Sequence, residues 1–328
     1  MILTSALSMA PLRISFVGGG TDFKSFYSKK EGKVIAAAIS KYVYVHVKRH
    51  DPLFQEKFRI SYSTTESCAS RDDIKNKIVK NTLEFLDFDE PIQISISSDL
   101  PSNSGLGSSS SFTVALLLAI HSLKNENVSP AQLAEEACEI EINMLASPIG
   151  KQDQYAAAFG GINCYYFKPN DLVLIEPIRM ANSNLLKLYE GLNLTWTMIN
   201  RESNTILGDQ EMRSEDNYLN LLEILSLVDS FKVEISRPVI DLYEIAQIID
   251  KGWQIKKKLS PLIASKEINS MVDSLISDGA LGAKLLGAGG GGFILTINDS
   301  KEFQKKIATT SSFTPSFDFR GARLVALN

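Results

Sequence analysis

The sequence predicts an α+β fold in two domains, and three observations carry that prediction. The 328-residue chain is long enough for about two domains of roughly 100–200 residues each. Its first half passes through strand-like segments and then into helical pattern, the succession an α+β layout produces. Its second half repeats the mixture, with a strand, a long helical stretch and closing strands.

The elements follow in order. APLRISFVGG (10–19) alternates polar and apolar residues, and KVIAAAISKYVYVHVKR (33–49) ends in the β-branched and aromatic run YVYVHV. KFRISYS and PIQISISSDL read the same way. Helical pattern begins after the serine run at 108–111 and continues through SPAQLAEEACEIEINML. There Ser129 is the N-cap, Pro130 the first helical residue and Gln132 the third residue after the cap. LTWTMIN reads as a strand, helices fill Glu215 to about Ser277, GAKLLGAGGGGFILTIND is strand, glycine loop and strand, and ARLVALN closes the chain as a strand. The expected division is 1–185 and 186–328.

Composition excludes several classes of protein. A hydrophobic fraction of 44% and a charged fraction of 22% are ordinary for a globular chain, and a formal charge of -4 offers no electrostatic argument for nucleic acid or a membrane surface. Cys68, Cys138 and Cys164 are odd in number and form no CxxC pair, which argues against a disulfide framework and for a reducing compartment. His46, His50 and His121 show no zinc-site spacing with them. The longest purely apolar run, Val114 to Ile120, falls far short of the ~20 residues a membrane span needs. The N-terminus lacks a basic region and a cleavage site, so the expectation is a cytoplasmic protein.

Three glycine-rich stretches carry the functional signal. In PSNSGLGSSSSF (101–112), Gly105 and Gly107 let a loop fold around an anion, and the serines open a helix whose first N–H groups and dipole favour phosphate. A Ser/Gly linker is the competing reading, but a linker has no reason to run straight into FTVALLLAI. No lysine follows, so the stretch is not a Walker loop. GAGGGG (287–292) contains a formal GxGxxG in Gly287, Gly289 and Gly292. The segment after it reads as a strand, not the helix a dinucleotide fingerprint opens, so a tight loop between strands is the better reading and a dehydrogenase a remote one. In FVGGGTDF (16–23), Asp22 follows three glycines and would accept hydrogen bonds from ligand hydroxyls; a glycine turn with a capping Asp is the alternative. SPIGKQDQYAAAFGG (147–161) carries Lys151, Asp153 and Gln154. Glu141 shares a helical face with Ala134, Cys138 and Leu145, so it either points inward and needs a partner or is an ordinary solvated glutamate.

Taken together, these stretches resemble the three motifs of the GHMP kinases: APLRISFVGGGTDF the first, PSNSGLGSSSSF the second and KLLGAGGGGF the third, in order and spanning residues 10 to 293. GGGTDF, PIGKQDQYAAAFGG and the TIL segment after Arg201 look most like the D-glycero-D-manno-heptose 7-phosphate kinases within that group. The resemblance implies a ribosomal-protein-domain-2-like N-terminal α/β domain, a ferredoxin-like C-terminal α+β domain and an active site in the cleft between them. It implies ATP-dependent phosphorylation of a small-molecule hydroxyl with Mg²⁺. Carried over, Pro101, Ser104, Gly105, Leu106, Gly107, Ser108, Ser109 and Ser110 would wrap the ATP phosphates, and Ser109 and Glu141 would hold Mg²⁺. Asp153 matches the catalytic aspartate and Arg13 the basic residue beside it. Gly19, Gly20, Thr21 and Asp22 would meet the sugar, with Lys151, Gln154, Arg201, Gly289 and Gly290 as further substrate contacts.

A phosphorylated acceptor needs a cationic docking point. Lys151 is the first candidate, since fucokinase-like relatives have a bulky neutral residue there; Arg201 and Lys284 follow. The chain departs from the family at TMINRESN, which lacks the TG pair often found before the arginine matching Arg201. The expected partner is a small-molecule sugar phosphate, with no nucleic acid and no membrane; a homodimer stays open. The rival readings are a kinase of free fucose or galactose, and a non-catalytic sugar and ATP sensor on the same fold.

Overall fold

Alternation in the N-terminal segments folds into two long antiparallel strands that form the spine of the molecule. The computed structural model describes residues 3–51, 53–200, 203–308 and 311–327. Its strands are β1 (Ser5–Val17), β2 (Gly32–Arg49), β3 (Phe58–Ser61), β4 (Thr65–Cys68), β5 (Ile92–Ser98), β6 (Ile162–Phe167), β7 (Val173–Pro177), β8 (Leu192–Trp196), β9 (Gly282–Leu285), β10 (Phe293–Ile297), β11 (Ser312–Phe313) and β12 (Arg323–Leu327). Its helices are α1 (Lys24–Tyr27), α2 (Lys77–Phe85), α3 (Ser108–Leu123), α4 (Pro130–Cys138), α5 (Gln152–Phe159), α6 (Asn182–Gly191), α7 (Ser203–Met212), α8 (Tyr218–Ile235), α9 (Leu242–Leu259), α10 (Lys266–Ser277) and α11 (Lys301–Ile307).

The first sheet has eight strands in the order β12-β1-β2-β5-β3-β4, with β6 pairing β2 and β7. The second is a four-stranded antiparallel sheet in the order β11-β8-β10-β9. The α+β class is therefore what the chain adopts. Position 185/186 lies inside α6, and β12 returns to pair with β1 through Ala6↔Leu327 and Met9↔Arg323. Short strands carry no mark of which sheet they complete, because alternation specifies a face and not a neighbour.

Helix α3 explains why a glycine- and serine-rich stretch leads into an apolar run. Val114, Leu116, Leu117, Ile120 and Leu123 are all fully buried. At about 1.5–3 kcal/mol for each large side chain buried, they outweigh the roughly 0.5–1 kcal/mol that ordering each of two glycines costs. Ser129 caps α4 as expected, accepting the Gln132 N–H at 3.2 Å. After Cys138 the helix widens into a π turn over Glu139–Met144. In the second domain α9 buries Leu242, Ile245, Ala246, Ile249 and Trp253 at helical spacing. Phe16 of β1 stacks on Phe231 of α8 with ring centroids 5.3 Å apart, so the two halves share apolar contact beside the cleft. Among the described residues, no helix is long and apolar enough to cross a membrane.

Candidate active site

A cavity of about 590 Å³ opens between the two sheets, lined from one side by the ends of β1, α3 and α5 and from the other by α7, α9 and the β9–β10 loop. The register of β1 against β2 shifts between Pro11 and Leu12 and again between Ser15 and Val17. Such irregularities re-aim side chains, and Arg13 lies between them. Its Nε and Nη2 each donate to one carboxylate oxygen of Asp153 at 2.7 Å, while Nη1 donates to the Gly105 carbonyl at 2.6 Å. The Arg13 N–H donates to the Leu106 carbonyl at 2.9 Å, which fastens the glycine-serine loop to β1. Two parallel charge-assisted bonds fix the carboxylate in direction as well as position.

The loop enters α3 through Gly107, whose φ of +76° is left-handed and which serves as the N-cap without a capping side chain. The first N–H groups of α3 thus lack a side-chain acceptor at the cap and face an anion-sized space. A Cβ on Gly107 would lie 3.1 Å from Asp153 Oδ2 and 3.3 Å from Arg13 Cγ, so only glycine lets the helix start this close to the ion pair. The β9–β10 loop closes on the same place. A Cβ on Gly287 would overlap the backbone of Gly105. This loop joins two antiparallel strands, as its sequence context indicates, and opens no helix.

Glu141 is 2% exposed, so of the two positions its spacing leaves open it takes the inward one. The Ser109 hydroxyl and the Gln154 amide each donate to it at 2.7 Å. Burial raises its pKa, and the bonds from Ser109, Ser110 and Gln154 oppose that rise. Asp22 is buried too, and burial together with the nearby Asp153 charge lifts its pKa to about 6 against backbone N–H bonds from Gln152 and Gly20.

Arg13, Gly19, Gly20, Asp22, Gly105, Gly107, Ser108, Ser109, Ser110, Glu141 and Asp153 all face the cleft. Others named from the sequence do not. Pro101 is exposed outside it; Ser104 and Leu106 are buried behind the loop, where Ser104 O accepts the Phe293 N–H at 3.1 Å. The Thr21 hydroxyl is tied to Gly18 O and Lys33 O, and Gln154 stands behind Glu141. Gly289 and Gly290 pack on Ile263. Arg201 lies outside the described residues.

Lys151 is not among the residues that line the cavity. Its ammonium donates to Asp171 Oδ1 at 3.0 Å and sits over the Tyr27 ring, away from the cleft. The Tyr27 hydroxyl and then Lys151 hold the Asp171 pKa down at about 2. Residues two apart on a helix do not share a face, so with Asp153 aimed at Arg13, Lys151 at the start of α5 is turned elsewhere. The cations found instead are Lys256 of α9 and Lys284 of β9. Lys284 is one of the docking candidates named above; Lys256 sits in the KKK run of α9, where only tertiary packing sends one of three like residues into the cleft.

A cleft at a helix N-terminus beside an arginine-held carboxylate suits a phosphotransferase acting on small molecules. Residues 75–161 match the GHMP kinases N terminal domain and residues 233–309 the GHMP kinases C terminal domain. The chain is 31% identical, over 95% of its length and 96% of the relative's, to D-glycero-alpha-D-manno-heptose 7-phosphate kinase of Campylobacter jejuni. It is 26% identical to a galactokinase of Pyrococcus furiosus over 88% of each chain. Among solved structures, a D-glycero-D-manno-heptose 1-phosphate kinase from Bacteroides thetaiotaomicron superposes with a TM-score of 0.80 at 24% identity, covering 98% of this chain and 99% of that one. The galactose complex of Lactococcus lactis galactokinase matches at 0.72 and 15% identity, over 97% and 95% of the two chains. The chain belongs to the GHMP kinases and is an ATP-dependent sugar kinase by class.

Proposed function

We propose that this kinase transfers the γ-phosphoryl group of ATP to the anomeric hydroxyl of D-glycero-D-manno-heptose 7-phosphate, giving the 1,7-bisphosphate for nucleotide-activated heptose and surface polysaccharide. The observation that carries the chemistry is the two-pronged Arg13–Asp153 pair directly below the N-terminus of α3. The sugar and its phosphate are supported by the similarity to the Campylobacter enzyme.

Phosphoryl transfer has a loose transition state, so positioning and charge compensation supply most of the rate. The acceptor oxygen attacks the γ-phosphorus, its proton passes to Asp153, and ADP leaves. Arg13 keeps the Asp153 carboxylate in place and faces the developing charge. Asp22 accepts hydrogen bonds from sugar hydroxyls, while Gly105, Gly107 and Ser108 to Ser110 hold the nucleotide phosphates.

Ser109 and Glu141 would hold Mg²⁺. No cluster of three or more His, Cys, Asp or Glu exists among the described residues. One carboxylate and one hydroxyl are nevertheless the donor set that suits a Mg²⁺ completing its shell with water and phosphate oxygens. The buried Gln154 Oε1, which has no partner, adds a further acceptor close by. When bound, the ion would neutralise charge on the β- and γ-phosphates. We place the enzyme in the cytosol, where ATP is available and the buried thiols Cys68, Cys138 and Cys164 stay reduced.

The test is ADP release with Mg-ATP against sugars with and without a terminal phosphate. Turnover with heptose 7-phosphate and not with free heptose, fucose or galactose supports the proposal. Turnover only with a free sugar would replace the acceptor, and no turnover with any sugar would leave the sensor as the better account.

A further inference from the structure

Among the described residues, four basic side chains line the cleft: Arg13, Lys77, Lys256 and Lys284. Arg13 is held by Asp153, and Lys77 is solvent-exposed at the start of α2. Lys256 and Lys284 differ from both. Lys284 is 9% exposed, and its ammonium donates to Ser15 O at 3.0 Å and Phe16 O at 2.9 Å. The Lys256 ammonium donates to Gly287 O and to Leu285 O. Among the described residues, neither lysine forms an ion pair with a carboxylate. Backbone carbonyls satisfy some of their N–H donors but leave the charge uncompensated, and a buried charge without a counter-ion is costly.

The arrangement makes this imbalance local. Burial lowers the pKa of both amines, Lys256 to about 8, and Arg13 repels each of them; Lys256 repels Lys284 as well. Among the described residues, three cations therefore meet across the cleft, Arg13 from β1 and the two lysines from α9 and β9, with Asp153 as the only carboxylate paired to any of them. A dianion placed between the two lysines would relieve that repulsion and take up their remaining donors.

Resting on the phosphosugar reading above, we propose that Lys256 and Lys284 form the subsite for the acceptor's own phosphate monoester. Two features favour the acceptor over the nucleotide. The nucleotide phosphates already have the serine loop and the N-terminus of α3. Lys284 grips the carbonyls at the end of β1, from which the chain runs directly into Gly19, Gly20 and Asp22, the sugar-facing turn. Both lysines come from the second domain, so the acceptor would span the cleft, its hydroxyl at Asp153 and its phosphate at α9 and β9.

The decisive variant is Lys256→Gln, because Lys284 also fastens β1 and its loss would disturb folding. Steady-state kinetics on the full chain should show the KM for heptose 7-phosphate raised about tenfold or more, as for loss of a charge-assisted bond, with the KM for ATP unchanged and Lys256→Arg restoring most of the loss. A second measurement needs no sugar: inorganic phosphate binding by calorimetry at saturating Mg²⁺ and a non-hydrolysable ATP analogue. Phosphate should bind the wild type under these conditions and not Lys256→Gln. A raised KM for ATP with an unchanged acceptor KM would assign the lysines to the triphosphate and overturn the proposal, as would unchanged phosphate binding in the variant. If the wild type turns over only free sugars while its phosphate binding still depends on Lys256, the subsite stands and the heptose 7-phosphate reading falls.

Discussion

Arg13 and Asp153, 140 residues apart in the chain, meet through two parallel 2.7 Å hydrogen bonds, and the third nitrogen of the same guanidinium holds the carbonyl of Gly105 in the phosphate loop. One side chain thereby sets both the candidate base and the loop that would present the phosphate. Replacing Asp153 with Asn should lower kcat by about 10²–10⁴-fold, the range for a general base, with little change in either KM. Arg13→Lys keeps a charge but cannot make the fork, so it should also reduce kcat, by a smaller factor. Steady-state rates with both substrates saturating check both.

Glu141 is held between Ser109 and Gln154 and is fully enclosed. Glu141→Gln should shift the Mg²⁺ concentration needed for half-maximal rate upward by about tenfold or more. Titrating Mg²⁺ at fixed ATP reads this directly; an unchanged Mg²⁺ dependence would remove Glu141 from the metal site.

Asp22 gives the acceptor a pH dependence. With its pKa raised to about 6 by burial, it is ionised at neutral pH and gains a proton as the pH falls through that value, losing an acceptor lone pair needed by a sugar hydroxyl. The profile of kcat/KM for the sugar should fall below about pH 6, and Asp22→Asn should flatten that limb at a lower level. The linkage has the opposite sign for stability. The folded state binds this proton more tightly than the unfolded one, so the group's contribution to stability is lost as pH rises from the ordinary carboxylate value of 3.8 through about 6. A thermal-melt series on wild type and Asp22→Asn separates the two effects.

His121 ties two helices away from the cleft. Its ring nitrogens lie 2.7 Å from Glu126 and 2.7 Å from Glu136, joining α3 to α4. Burial alone would lower the imidazolium pKa, but the bonds to Glu136 and Glu126 outweigh it and raise it above its ordinary value of 6.5. The contribution is therefore fully present below about pH 6.5 and is lost as pH rises through the elevated folded value. The difference in Tm between wild type and His121→Gln should shrink as pH rises above about 6.5, while kcat stays the same.

Much of this arrangement was legible from local pattern. The alternation of β1 and β2, the Ser129 cap and the glycine loop running into α3 are all specified by residues within a few positions of each other, and short-range rules read them directly. The spacing of Glu141 with Ala134 and Cys138 leaves an inward and a solvated position both open, and the fold encloses it. What local pattern does not hold is the choice among equivalent neighbours. Lys151 and Asp153 stand two apart, yet the start of α5 turns one to Asp171 and the other to Arg13. Lys256, Lys257 and Lys258 are alike in sequence, and only the packing of α9 against β9 sends the first toward Gly287. The π turn at Glu139–Met144 and the return of β12 to β1 likewise have no local signature. The sequence by itself determined the fold class and the glycine loop that runs into α3; the tertiary structure decided which charged side chains reach the cleft, because a charge far along the chain is directed by the partners that packing brings to it.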